Sequence, residues 1–126
     1  MKIVIDARLY GLENAGLGRY TICLINELKK LDSKNEYIVL LRKKYFNQLN
    51  FAANWKKILV DINHYSLSEQ IKLPKIINDL RPDLVHFLHF NVPVFYRGKY
   101  VVTIHDLLMH KQKGLEATTL TPSRYF

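Results

Sequence analysis

Five short apolar runs, most of them separated by helical patterns, constrain this chain more than any other feature. The runs are Lys2–Asp6 (KIVID), Glu36–Arg42 (EYIVLLR), Trp55–Ile62 (WKKILVDI), Asp83–Phe90 (DLVHFLHF) and Lys99–His105 (KYVVTIH). A strand with one wet face alternates apolar and polar residues, whereas a run that is nearly apolar throughout needs cover on both faces, as a parallel strand between helices has. Between the runs, Tyr20, Leu24, Ile25, Leu28 and Leu31 recur at helical spacing, and Leu67, Ile71, Ile76, Ile77 and Leu80 do so ahead of the breaker Pro82. Ser66 with Glu69 three residues on has capping-box form, and Pro74 either kinks this helix or marks where its second part begins. Tyr45–Ala53 is ambiguous, with room for one or two helical turns. The pattern predicts an α/β, doubly wound, mainly parallel five-stranded sheet with helices on both faces. One link strains it: the eight residues Asn91–Gly98 are short of the roughly dozen that a parallel crossover needs, so either a tight loop crosses over or that pair is antiparallel.

Length and composition bound the rest. At 126 residues with 48% apolar content, the chain suits one domain with one packed core and not a disordered tail. The net charge of +8 is scattered, densest at Arg42-Lys43-Lys44 and Lys56-Lys57. It fits a solvated basic face or an anionic partner: a nucleotide phosphate, an acidic membrane surface or nucleic acid. Cys23 is the only cysteine, which excludes a disulfide framework and a cysteine metal cluster, and its apolar helical setting reads as inert packing. The opening MKIVIDARL is interrupted by Asp6 and Arg8, unlike a signal peptide, and no run approaches a membrane span. The expected location is cytoplasmic.

The candidate ligand-binding residues follow strands. Gly16-Leu17-Gly18-Arg19-Tyr20-Thr21 shares only two glycines with the dinucleotide fingerprint, and it begins ten residues after Asp6. What remains is a pair of flexible glycines leading into a helix N-terminus, with free N–H groups and Arg19 as a fixed charge; the same glycines also suit a plain tight turn. In a doubly wound sheet ligands bind beyond the carboxyl ends of the strands at the switch point. The glycine loop, His89-Phe90-Asn91 and His105-Asp106 should therefore converge on one crevice. His86, inside a strand, reads as a hydrogen-bonded core histidine; His89 and His105 lie at strand ends, where a polar side chain reaches a ligand. Asp106 either orients His105 or caps the next turn. No His, Asp or Glu grouping has metal-ligand spacing, so no metal is expected.

MKIVIDAR, GLGRYTICLINELKKLD, RPDLVHFLHFNVP and YVVTIHDLLMHK, in that order, resemble the N-terminal, acceptor-side domain of family-four retaining glycosyltransferases, which have the GT-B fold. The resemblance implies a Rossmann-like domain over residues 1–126, partial, with the C-terminal donor-binding domain absent and the chain inactive alone. It implies that Gly16, Gly18 and Arg19 lie near the phosphates of a nucleotide-sugar, that His105 is catalytic with Asp106 in support, and that His89 and Asn91 bind substrate. The reaction would be transfer of a mannose-like hexose to a polysaccharide or glycolipid acceptor in cell-envelope synthesis, without a metal or other cofactor. The implied partners are the nucleotide-sugar, a sugar or lipid-linked acceptor and the missing donor domain, with peripheral contact to an anionic membrane and no nucleic acid. Two other readings stand beside it: a non-catalytic nucleotide-binding or interaction module, and an NADP-dependent reductase fragment with Arg42-Lys43-Lys44 on the 2′-phosphate.

Overall fold

The computed structural model describes residues 1–105. The five apolar runs form β1 (Lys2–Asp6), β2 (Glu36–Leu41), β3 (Trp55–Leu59), β4 (Leu84–Phe87) and β5 (Tyr100–Val102). They make one sheet of order β3-β2-β1-β4-β5 in which every pairing is parallel. Four strands stop short of their apolar runs. Arg42, for instance, leaves β2 to precede α2 (Lys43–Gln48).

Register explains why both faces are apolar. Val4 sits beside Ile38 and Val85, and Ile5 beside Val39 and His86; successive side chains point to opposite faces. One face carries Val4, Ile38, Leu40, Val85 and Phe87, packed with Leu73 and Ile77 of α3 (Leu67–Leu80). The other carries Ile5, Tyr37, Val39, Leu41 and Trp55 with Ile25 of α1 (Ala15–Leu31). The result is a Rossmann-like doubly wound sheet with helices on both faces. Each fully buried aliphatic or aromatic side chain in these clusters contributes about 1.5–3 kcal/mol.

The helix ends follow local chemistry. Ser66 Oγ accepts from Glu69 N at 3.1 Å, while Glu69 Oε1 accepts from Tyr65 N at 3.2 Å, so the box closes one residue upstream of the cap itself. Pro74 lies buried within α3, which is a single helix across it and not two parts. Lys29 and Lys30 complement the dipole at the end of α1. At its start, Asn14 makes no side-chain cap, and its Nδ2 donates to the carbonyls of Leu9 and Tyr10.

One expectation is corrected here, and one open alternative is decided. Cys23 is exposed on α1 and is not part of the packing, because Thr21 and Ile25 take the buried stripe on either side of it. The last strand pair is parallel: both strands are shorter than their apolar runs, which leaves residues 88–99, twelve in all, for a crossover without a helix. Among the described residues no helix packs on that link, and Tyr100, Val101 and Val102 are exposed at the sheet edge. Among the described residues no helix is long and apolar enough to cross a membrane.

Candidate functional site

The carboxyl end of β1, at the switch point between β1 and β4, holds a buried ion network. Arg8 Nη2 lies 2.7 Å from Asp6 Oδ2 and 2.8 Å from Glu69 Oε2, with the side chains of Arg8 and Glu69 fully buried. Arg8 Nε also donates to Asp6 Oδ1 at 2.8 Å and Nη1 to the Ile62 carbonyl at 3.3 Å. The contact to Glu69 Oε2 is an ion pair without hydrogen-bond geometry; Glu69 Oε1 accepts instead from Asn91 Nδ2 at 2.7 Å. Burial opposes the charge on Asp6, but the charge and hydrogen bonds of Arg8 outweigh it and hold the carboxyl below its ordinary range. Burial likewise pulls Arg8 down, and Asp6 and then Glu69 more than offset it. Glu69 is inside because 69, 73 and 77 form one stripe of α3 facing the sheet.

Two of the predicted site residues, His89 and His105, lie past the ends of β4 and β5. His105 Nε2 lies 2.7 Å from the Leu88 carbonyl. A carbonyl only accepts, so Nε2 is the donor in this contact. Tyr20 of α1 stacks edge-on against His105, with centroids 4.7 Å apart, and its hydroxyl shares a 3.3 Å hydrogen bond with Thr103. Thr103 Oγ1 is in turn 2.8 Å from His86 Nε2, which makes His86 a hydrogen-bonded, part-buried histidine whose pKa burial lowers. His89 Nε2 is 2.6 Å from the Tyr65 hydroxyl; burial first, and His105 second, lower its pKa. Side chains of α1 and of the segment after β5 thus touch each other and the residue that follows β4. Asp106 lies outside the described residues.

Gly16, Gly18 and Arg19 require a correction. They do not form a loop: all three stand in the first turns of α1. Gly18 is buried where the helix passes the Gly11 carbonyl, with which any Cβ would collide, and Gly11 itself has a φ of +127°. Close packing of the loop 7–14 on α1 therefore explains Gly18. Gly16 has open space around it and Arg19 is exposed. Because Asn14 caps nothing, the first N–H groups of α1 have no side-chain acceptor.

A concavity lies toward β2 and β3. It is a cleft of 260 Å³ between the loop after β1 (Arg8, Tyr10, Glu13) and the residues that end β2 and open α2 (Arg42, Lys43, Lys44), with Asp61 and His64 among its lining. Its walls are braced by Tyr45 Oη donating to Glu13 Oε2 at 2.6 Å and by Lys44–Glu13 and Arg42–Asp61 ion pairs at 3.6 and 3.1 Å. Burial, reinforced by Arg8, pushes His64 down to about 4, so it is neutral at pH 7.

Asp6, Arg8, Glu69 and His64 are the site residues that the sequence reading passes over. The Asp-x-Arg directly after β1 was a usable signal, since charged residues immediately past a buried strand sit at the ligand-bearing edge. Glu69 and His64 carried none: Glu69 is buried by the packing of α3 against the sheet, and His64 lies half-buried in the cleft lined by Arg8 and Arg42. Among the described residues no group of three or more His, Cys, Asp or Glu is placed to hold a metal ion. Comparison of the chain with protein-family models, with curated proteins and with solved structures finds no match.

Proposed function

We propose that this chain is the acceptor-side part of a retaining glycosyltransferase that moves a hexose from a nucleotide-sugar to a carbohydrate or glycolipid acceptor, with the donor pocket supplied by a second domain. The observation that carries the reading is the packing of Tyr20 of α1 on His105, whose ring is held by the Leu88 carbonyl just past β4, beside a helix whose first turn lacks a side-chain cap. In this reading the departing diphosphate is stabilised by the N–H groups at the start of α1 and by Arg19, both suited to anions. His105, with Nε2–H fixed on Leu88, offers Nδ1 to a sugar hydroxyl and so orients the transferred ring or the acceptor. The network of Asp6, Arg8, Glu69 and Asn91 holds the crevice floor.

The test uses the labelled chain first and transfer second. GDP- and UDP-hexoses should shift the amides of residues 15–19 and the His105 ring at millimolar ligand, while NADPH should not. Supplied with a donor domain, the chain should form product, and His105→Ala should cut turnover at least 100-fold without changing urea stability. Binding of NADPH in place of sugar nucleotides would favour the reductase reading. Binding without transfer, even with a donor domain, would favour the non-catalytic module.

A further inference from the structure

We infer that Tyr65 is a positioning residue of the candidate site, whose hydroxyl fixes the His89 ring so that Nδ1 is the ring atom left to meet a hydroxyl group of a sugar ligand. The choice of a sugar rests on the transferase reading; the positioning does not.

The backbone gives the first reason. Tyr65 has a φ of +60°, in the left-handed region, where a bulky side chain is disfavoured and glycine or asparagine is at ease. Such a conformation persists only where its surroundings over-determine it, and it concentrates at ligand sites. Here the surroundings are firm. Tyr65 N donates to Glu69 Oε1 at 3.2 Å, and Glu69 is fully buried against Arg8. A glycine at 65 would offer the same N–H to Glu69 without strain, so the start of α3 does not explain the tyrosine. What only the tyrosine supplies is its ring and hydroxyl. The hydroxyl lies 2.6 Å from His89 Nε2, with the two rings edge to face at 6.2 Å.

The start of α3 holds the rest of the segment after β4 as well. Glu69 Oε1 also accepts from Asn91 Nδ2 at 2.7 Å, and Gln70 Oε1 accepts from Val94 N at 2.7 Å. His89 therefore stands on a braced backbone, and Tyr65 sets the ring itself. Whichever of the two donates, Nε2 is spent on this bond and Nδ1 is not. Asn91 likewise keeps its Oδ1 as an acceptor once Nδ2 is on Glu69. Tyr65 and His89 are uncharged at pH 7, because burial lowers the His89 pKa, and burial with Glu69 raises that of Tyr65. The buried network next to them sets two carboxylates, Asp6 and Glu69, against the one guanidinium of Arg8. Neutral hydrogen-bonding groups beside a net negative charge suit a hydroxyl and not an anion.

The chain labelled with 15N-histidine is titrated with methyl α-D-mannopyranoside, a sugar with hydroxyls and no phosphate, and followed by NMR. Tyr65→Phe keeps the ring and the backbone strain and removes only the hydroxyl. In the free chain it should shift the His89 Nε2 signal, while the His86 ring, whose Nε2 lies on Thr103, keeps its own and the far-UV circular dichroism is unchanged. The mannoside should perturb the His89 ring at millimolar ligand, and Tyr65→Phe should weaken that binding about tenfold, because a freed ring has to be ordered by the ligand. Tyr65→Gly, which relieves the backbone, should weaken it at least as much. Tyr100→Phe, at the exposed sheet edge, should change neither reading. A His89 ring indifferent to Tyr65→Phe, native mannoside binding in either Tyr65 variant, or no mannoside binding at His89 would each overturn the inference. Any of these can occur with sugar transfer intact, and Tyr65-dependent mannoside binding can occur without transfer, so failure here is distinct from failure of the transferase reading.

Discussion

Removing Arg8 should unlock the carboxyl edge of the sheet. Its side chain is fully buried between Asp6, itself 8% exposed, and the fully buried Glu69, so Arg8→Ala leaves two carboxylates facing a cavity with no cation. Breaking a buried pair from one side costs about 3–5 kcal/mol, a large part of the roughly 5–15 kcal/mol of a typical domain. pH gives the diagnostic. In the native protein the Asp6 carboxyl is held below its usual 3.8, so its stabilising share is present above pH 3.8 and is lost only as pH falls through the lower folded value. In Arg8→Ala burial acts on Asp6 without that offset and raises the folded value. The penalty is then full at pH 7 and shrinks as pH falls through the raised pKa. Urea unfolding followed by far-UV circular dichroism at pH 7 and pH 4.5 should show a gap between the two proteins that narrows at the lower pH. Arg8→Lys keeps the charge but loses the two-pronged grip on Asp6 and the bond to Ile62, and should lose about 1–3 kcal/mol. A gap below about 1 kcal/mol at pH 7, a gap that widens at pH 4.5, or an Arg8→Lys protein of native stability would refute the reasoning.

Two further outcomes follow from single positions. Gly16→Ala should stabilise by about 0.5–1 kcal/mol through helix propensity alone, since nothing lies near its Cβ. Gly18→Ala should instead destabilise by more than about 1 kcal/mol, because the new methyl meets the Gly11 carbonyl; equal effects in urea melts would show that the packing argument is wrong. His64, at about 4 in the folded chain against an ordinary 6.5, binds fewer protons folded than unfolded between those values. Stability should therefore drop as pH falls from 6.5 to 4, by at most about 3 kcal/mol before solvent screening, and His64→Gln should flatten that part of the profile.

The apolar runs determined the strands and the class of sheet, because a run with no polar alternation has to be covered on both faces. The capping pair Ser66 and Glu69 fixed the start of α3 for the same local reason: the hydroxyl and the free N–H are three residues apart in any such helix. What the sequence alone left open depended on neighbours distant in the chain. The glycines at 16 and 18 carry the same local signal in a loop or a first helical turn, and only the approach of Gly11 assigned Gly18 to packing. Cys23 and Ile25 are both apolar-compatible positions of one helix, and which of them faces inward was decided by how α1 lies on β1 and β2. The direction of β5 turned on where β4 ends and β5 begins, a matter of a few residues that apolar content does not mark. Arg8 and Glu69 are 61 positions apart, and their pairing exists because β1 ends where the first turn of α3 packs over it. Charges read singly along a chain look solvated; only the tertiary fold puts them in a medium where they must find each other.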